Sequence, residues 1–353
     1  MTSTTKNRVH RSGENRLAGG QGLLERIAIV LVCSCMGVLP SGPGPLWSVA
    51  FAHKLPVVAS ILPLGDFCNQ IGGDLVEVEV LIPPGASPHT FEPPPSLVAK
   101  AARARVFVYI GAGMEPWAER LIASRGSADL AVVEATRGIS LIREAGLHAH
   151  EGQASQGRGE LHHSTEGRSE MEPGEAAEHR HRRGNPHVWM DPVLVQGISR
   201  AICQAFIQVD PRHEDSYKAN LSRFLRELDE LHREIERRVS SFAIREYVCF
   251  HPAYTYFSRR YGLREVGVIE ASPGREPAPR NIQRIVEAVR KYNIKVIFAE
   301  PQLNPRVAEI IAKEAGVKVL MLDPLGGRPP YGSSYVAMMR YNLSVLEQAM
   351  AGR

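Results

Sequence analysis

Eight short runs dense in Val, Ile, Leu and Phe alternate with helical stretches, and this alternation constrains the chain more than any other feature. The runs lie at 55–61, 76–82, 105–110, 131–133, 247–250, 265–269, 296–299 and 317–322. Most are continuous rather than alternating, which suits strands buried on both faces, as in a parallel sheet. Helical patterns such as 279–292 and 306–315 lie between them. The pattern occurs twice, before residue 134 and after 246. The expected fold is therefore α/β in two lobes, each a parallel-type sheet flanked by helices.

Residues 212–240 contain no Gly or Pro. Their apolar residues, Leu221, Phe224, Leu225, Leu228, Leu231, Ile235 and Val239, recur at steps of three and four, the spacing of one helical face. At 1.5 Å per residue such a helix spans roughly 40 Å. It reads as a rigid backbone helix between the lobes, since a floppy connection would be rich in Gly, Ser or Pro. The expected organisation is a signal at 1–52, an N-terminal lobe at 53–211, the linking helix at 212–240 and a C-terminal lobe at 241–353. Residues 147–186 are Gly, Glu, Arg and His with few large apolar side chains, and predict a mobile loop within the first lobe.

The N-terminal segment accounts for most of the net charge. Lys6, Arg8, Arg11, Arg16 and Arg26 stand there against Glu14 and Glu25, so of the formal +4 little is left for residues 53–353. No basic stripe remains to track phosphates, and a nucleic-acid partner is not expected. The basic stretch is followed by an apolar run at 27–39, a Pro/Gly-rich stretch and Ala50-Phe51-Ala52. That is the order of a secretory signal, with cleavage expected after Ala52 and a periplasmic location. The rival reading is a lipoprotein anchored on Cys33 or Cys35. Five cysteines in 353 residues are too few for a disulfide-built fold, and the pairing of Cys68, Cys203 and Cys249 is open.

Seven of the 13 histidines fall between 148 and 187. Imidazole suits zinc, copper and nickel, and irregular spacing in a polar tract points to weak, exchanging metal binding. Three histidines have stiffer surroundings. His89 lies in Gly85-Ala-Ser-Pro-His-Thr-Phe-Glu-Pro93, His187 in Asn185-Pro-His-Val-Trp-Met-Asp-Pro192, and His251 in Phe250-His-Pro-Ala-Tyr-Thr-Tyr-Phe257. Asp323 lies in Met321-Leu-Asp-Pro324. Proline beside each candidate stiffens the backbone that presents it. Strand ends are where α/β folds build sites. Three imidazoles and one carboxylate form a tetrahedral set that suits Zn²⁺.

These stretches resemble the metal-binding solute-binding proteins of ABC transporters. The similarity runs in order through Glu300-Pro-Gln302 and Asp323-Pro-Leu-Gly326 to Tyr335-Val-Ala-Met-Met-Arg-Tyr-Asn-Leu343, and covers nearly all of 54–350. It implies two α/β lobes joined by one backbone helix, with the metal in the interlobe cleft on His89, His187, His251 and Asp323. Manganese-type relatives commonly have Glu at the third position; His251 and the His-rich insert are similar to the zinc-type members. Three imidazoles favour the later metals independently of that resemblance. Glu300 is open between a ligand, a partner orienting a histidine N–H and a structural ion pair.

The expected function is an extracytoplasmic Zn²⁺ receptor, monomeric, delivering its cargo to an ABC permease. The alternatives are a manganese- or iron-type receptor, a metal-stabilised adhesin and a zinc hydrolase. The last would leave one zinc position open for water beside a general base, and the chain has no HExxH motif. No enzymatic activity is expected.

Overall fold

The computed structural model describes residues 54–101, 103–125, 130–143, 184–270 and 277–351. The expected signal at 1–52 and nearly all of the expected loop at 147–186 lie outside the described residues. The last loop positions are described, and there the expectation needs correction. Gly184 and Asn185 are buried, and the Asn185 N–H donates to the Ile142 carbonyl at 2.8 Å. The loop boundary at 186 is thus too late, because Asn185 belongs to the packed structure that carries His187.

Two four-stranded parallel sheets form the lobes. The first contains β1 (Leu55–Ala59), β2 (Val76–Val80), β3 (Val106–Tyr109) and β4 (Ala131–Glu134) in the order β2-β1-β3-β4. The second contains β5 (Glu246–Cys249), β6 (Arg264–Val268), β7 (Val296–Ala299) and β8 (Lys318–Met321) in the order β6-β5-β7-β8. The continuous apolar runs occupy the centres: β3 and β7 are buried at every position. The edge strand β2, Val-Glu-Val-Glu-Val, has one exposed position and three half-buried ones. In both sheets the chain leaves the first strand toward one side and returns to the other side with the third. That reversal opens a crevice at the carboxyl ends of β1 and β3, and again of β5 and β7, where open α/β sheets bind ligands.

Around the sheets lie α1 (Leu62–Gly72), α2 (Pro95–Ala101), α3 (Pro116–Arg125), α4 (Pro192–Val209), α5 (Glu214–Ser240), α6 (Thr255–Tyr261), α7 (Pro279–Lys291), α8 (Arg306–Ala315) and α9 (Tyr335–Met350). Helix α5 is the long connecting helix, 27 residues with Glu214 and Asp215 in its first turn and Arg237 and Arg238 in its last. Those charges complement the helix dipole. Its buried face is Tyr217, Phe224, Leu228, Leu231, Ile235 and Val239, while Leu221 and Leu225 are half-buried at its edge. Full burial of each such side chain stabilises by about 1.5–3 kcal/mol. Helices α1 and α4 pack on α5 from the first lobe, and α6 and α9 from the second. Helix α9 also reaches α1, where the Tyr335 N–H donates to Asp66 Oδ2 at 2.9 Å. A second helix therefore braces the connection beside α5.

One hydrophobic core runs from β1, β2 and β3 through α5 to Tyr247, Cys249 and Phe298 on one face of the second sheet. The other face of that sheet has its own core of Val248, Ile285, Val289, Ile297 and Ile311 with their neighbours. Cys68, Cys203 and Cys249 are buried, and no disulfide joins them. Among the described residues, no helix is long and apolar enough to cross a membrane.

Candidate metal centre

His251 follows β5 and Glu300 follows β7, so both stand at the crevice of the second sheet. His89 lies in the turn-rich stretch after β2, where the Thr90 and Phe91 N–H groups both donate to the Ser87 carbonyl. His187 opens a short 3-10 turn, Val188–Met190, that leads into α4. Asp191 caps α4, accepting from the Val193 N–H at 2.9 Å. It also receives the Arg260 guanidinium from α6, with 2.7 Å between charged atoms.

The structure brings His89, His187 and His251 together. One ring nitrogen of each lies within 4.8 Å of the others. His187 is the hub: its Nε2 lies 3.1 Å from His89 Nε2 and 3.1 Å from His251 Nε2. Tetrahedral zinc with Zn–N near 2.0–2.1 Å separates its nitrogens by about 3.3 Å, so both separations from His187 are close to what that ion requires.

The hydrogen bonds behind the rings fix which nitrogen faces inward. His187 Nδ1 lies 2.9 Å from Asn185 Oδ1, and the His187 backbone N–H donates to the same oxygen at 2.9 Å. An atom accepting from a backbone N–H is the amide oxygen, so His187 Nδ1 carries a proton and its Nε2 offers a lone pair. The Asn185 amide nitrogen donates to the Pro252 carbonyl at 2.8 Å and the Thr255 hydroxyl at 3.2 Å. Asn185 thereby ties His187 to the chain immediately after His251. On the other side, His251 Nδ1 bonds Glu300 Oε1. That contact answers the open question about Glu300: it sits on the back nitrogen of His251 and orients the ring.

His187 Nε2 has one lone pair and two imidazole neighbours at equal distance. A single lone pair cannot accept a well-directed hydrogen bond from both. A cation at the centre of the three nitrogens satisfies all of them. Burial, first, and the adjacent His251 and His89 hold the His187 pKa well below its ordinary 6.5, so its lone pair stays available. The sign of the linked stability follows. Above pH 6.5 neither folded nor unfolded chain protonates this group. Below it, the unfolded chain takes a proton that the folded metal-free chain resists, and stability falls with pH. The melting temperature of the metal-free protein should therefore drop between pH 6.5 and 5, and more steeply than that of His187→Gln. Parallel slopes for the two proteins would contradict the assignment.

Asp323, expected as a fourth ligand, is not brought into this cluster. It is 1% exposed. Its Oδ1 accepts from the Leu325 and Gly326 N–H groups, both at 3.0 Å, and from Gln302 Nε2 at 2.7 Å. Its Oδ2 accepts from the Tyr331 hydroxyl at 2.6 Å. The chain after β8 curls back so that its own N–H groups solvate the carboxylate, which a strand-end Asp-Pro does not reveal. The sequence reading also passed over Asn185. Its signal was present, since an Asn two residues before the residue it anchors is an Asx-turn pattern. Apolar side chains close the pocket around the histidines: Pro88, Met114, Trp189, Leu303 and Leu325.

Comparison with known proteins follows the same lines. A family model described as ZnuA, "Zinc-uptake complex component A periplasmic", matches residues 57–349. The high-affinity zinc uptake system protein ZnuA of Bacillus subtilis (strain 168) is 31% identical over 304 residues, covering 84% of this chain and 88% of that protein. The zinc-binding protein AdcA of Streptococcus pyogenes serotype M3 is 30% identical over 301 residues, covering 83% of this chain. This chain spans only 55% of the length of that AdcA. A crystal structure of a ZnuA deletion mutant with zinc bound superposes with a TM-score of 0.68 at 28% identity, covering 85% of this chain and 99% of that one.

Proposed function

We propose a function from the premise that this chain belongs to the ZnuA family: it captures Zn²⁺ outside the cytoplasm and hands it to an ABC permease for uptake. The ion is its cargo, held by His89, His187 and His251. The observation that carries the reading is the convergence of three imidazole Nε2 atoms on one point, with accepting partners placed behind His187 and His251. Three nitrogen donors favour zinc over manganese, which prefers an oxygen-rich and higher-coordinate set. The reading includes a periplasmic location after signal cleavage, a monomeric receptor and no nucleic-acid partner. It also includes no catalytic role: Glu300, the carboxylate a hydrolase would use as a base, is committed to His251 Nδ1.

Metal content after purification, beside a competition titration among Zn²⁺, Mn²⁺ and Cu²⁺, tests the reading. The metal-free chain should be folded, because its apolar cores are built from side chains that owe nothing to a metal. Zn²⁺ should raise its melting temperature, since a ligand at a thousandfold excess over its Kd stabilises by about 4 kcal/mol. A metal-free chain unfolded by circular dichroism would point instead to a structural metal.

His251→Glu probes the metal preference. It replaces one nitrogen by a carboxylate that favours harder ions and higher coordination. The added negative charge attracts any divalent cation, so the readout is the ratio of the Zn²⁺ and Mn²⁺ dissociation constants. That ratio should move toward Mn²⁺ in the variant. An unchanged ratio in a folded protein would remove His251 from the site.

A further inference from the structure

The crevice of the first sheet, between the carboxyl ends of β1 and β3, holds a carboxylate of its own. Glu115, 2% exposed, folds back on the loop that follows β3. Its Oε1 accepts from the Ser60 hydroxyl at 2.6 Å and the Ile110 N–H at 3.0 Å, and its Oε2 from the Gly111 N–H at 3.1 Å. Ser60 directly follows β1, so this one side chain ties the ends of both strands. The second lobe has a counterpart, since His251 after β5 is bonded to Glu300 after β7. The loop that Glu115 clasps is tightly wound. Gly111, Ala112 and Gly113 have φ of 85°, 53° and 78°, and the Met114 N–H donates to the Gly111 carbonyl at 3.0 Å. Positive φ at both central residues is the mark of a type I′ turn. At Ala112 that conformation costs about 1–2 kcal/mol, so other contacts have to hold the turn. Besides Glu115, the Thr136 hydroxyl donates to the Ile110 carbonyl at 2.9 Å. Glu134 occupies the space beside Gly111, where a Cβ would lie 2.4 Å from its Oε1. The turn ends at Met114, which lines the pocket of the three histidines.

We propose that Glu115 is a positioning residue for the metal pocket: by clasping the 111–114 turn it holds Met114 as the first-lobe wall beside the ion, and so slows escape of the cargo. The inference rests on the zinc-receptor reading. An apolar wall limits the access of water to a metal, and water replaces each imidazole as the ion leaves. Glutamate suits the task because three donors converge on it and an ionised carboxylate only accepts. Glutamine has the same shape but one acceptor atom. In either orientation its NH₂ end would meet a backbone N–H, of Ile110 or of Gly111, and the clasp would lose a bond.

Burial raises the Glu115 carboxyl to about 7, so the measurements belong at about pH 8, where it is ionised. The full chain is loaded with Zn²⁺ and mixed with a chromophoric chelator, and the dissociation rate is read where it no longer depends on chelator concentration. Glu115→Gln should release Zn²⁺ about tenfold faster than the unaltered chain, the lower end of what losing a group that supports a metal site costs. Met114→Ala should do about the same. The double variant Met114→Ala/Glu115→Gln should stay within about twofold of Met114→Ala alone, since the wall that Glu115 holds is already gone. A Glu115→Gln protein that melts lower yet releases Zn²⁺ within about twofold of wild type has a purely structural carboxylate, and overturns the proposal. So does a double variant whose two effects multiply, to about a hundredfold, or a Met114→Ala that releases at the wild-type rate. Should Glu115→Gln fail to fold, Ser60→Ala takes its place in the same cycle, because it removes one donor from the carboxylate and leaves both backbone N–H groups. A wild-type chain that binds no Zn²⁺ removes the zinc-receptor reading itself, which is a different result from any of these.

Discussion

His187→Ala loses about two to three orders of magnitude in zinc affinity while the metal-free chain still folds. Apparent binding energies of about 10–16 kcal/mol for four-ligand zinc sites correspond to roughly 3–4 kcal/mol per ligand, or about 10²–10³ in Kd. His187 merits the upper end of that range. It is the ring that contacts both others at 3.1 Å, and without it His89 and His251 lose their shared neighbour. Folding should survive, because the backbone N–H of residue 187 still has Asn185 Oδ1 to bond. Competition titration against a chromophoric chelator measures the loss, with circular dichroism confirming the fold. A folded variant retaining wild-type affinity would place the cargo elsewhere.

Trp189→Ala should produce the largest loss of stability. The side chain is 0% exposed. Its Nε1–H donates to the Pro324 carbonyl at 2.8 Å, and its own carbonyl accepts from the Tyr335 hydroxyl at 2.7 Å. Its ring packs against His187 with 5.2 Å between centroids. One residue thus fastens the His187 turn to the loop after β8 and to the start of α9. Truncating a buried Trp to Ala costs about 3–5 kcal/mol. For a chain of this size that lowers the melting temperature by about 5–8 °C. Trp189→Phe keeps most of the packing and loses the indole donor, so it should fall between. Thermal denaturation of the metal-free proteins gives the order. A shift of about 2 °C or less for the alanine variant would mean that the interlobe packing does not depend on the indole.

The architecture was legible because its signals are local. Apolar-rich runs, most of them continuous, marked all eight strands to within two residues at each end. The run without Gly or Pro marked α5, whose observed start at Glu214 lies two residues after the expected one. Each of the three histidines was visible beside a proline, although only the tertiary structure brings their rings together. The support behind those rings was less legible. Whether Glu300 would face the metal or the back of His251 depends on the register of β7 beside β5. Whether Asp323 would reach the metal depends on how the chain after β8 curls, and its carboxylate is occupied by N–H groups of its own loop. The bracing by α9 was not legible either, because an amphipathic helix does not announce which lobes it touches.

The core that passes unbroken from the first sheet through α5 into the second lobe makes the two lobes one thermodynamic body. Neither half has a complete interior of its own, since a chain cut after α5 would present the apolar faces of Tyr247, Cys249 and Phe298 with nothing to cover them. Swinging the lobes apart would likewise wet that interior, at about 25 cal/mol for each Å² of apolar surface uncovered. Uncovering about 200 Å² would cost about 5 kcal/mol, comparable with the lower end of a typical protein stability. The vessel is therefore one that keeps its walls and exchanges its contents by small adjustments at the rim. Release of a bound ion is therefore expected to need small adjustments around His89, His187 and His251 rather than separation of the lobes.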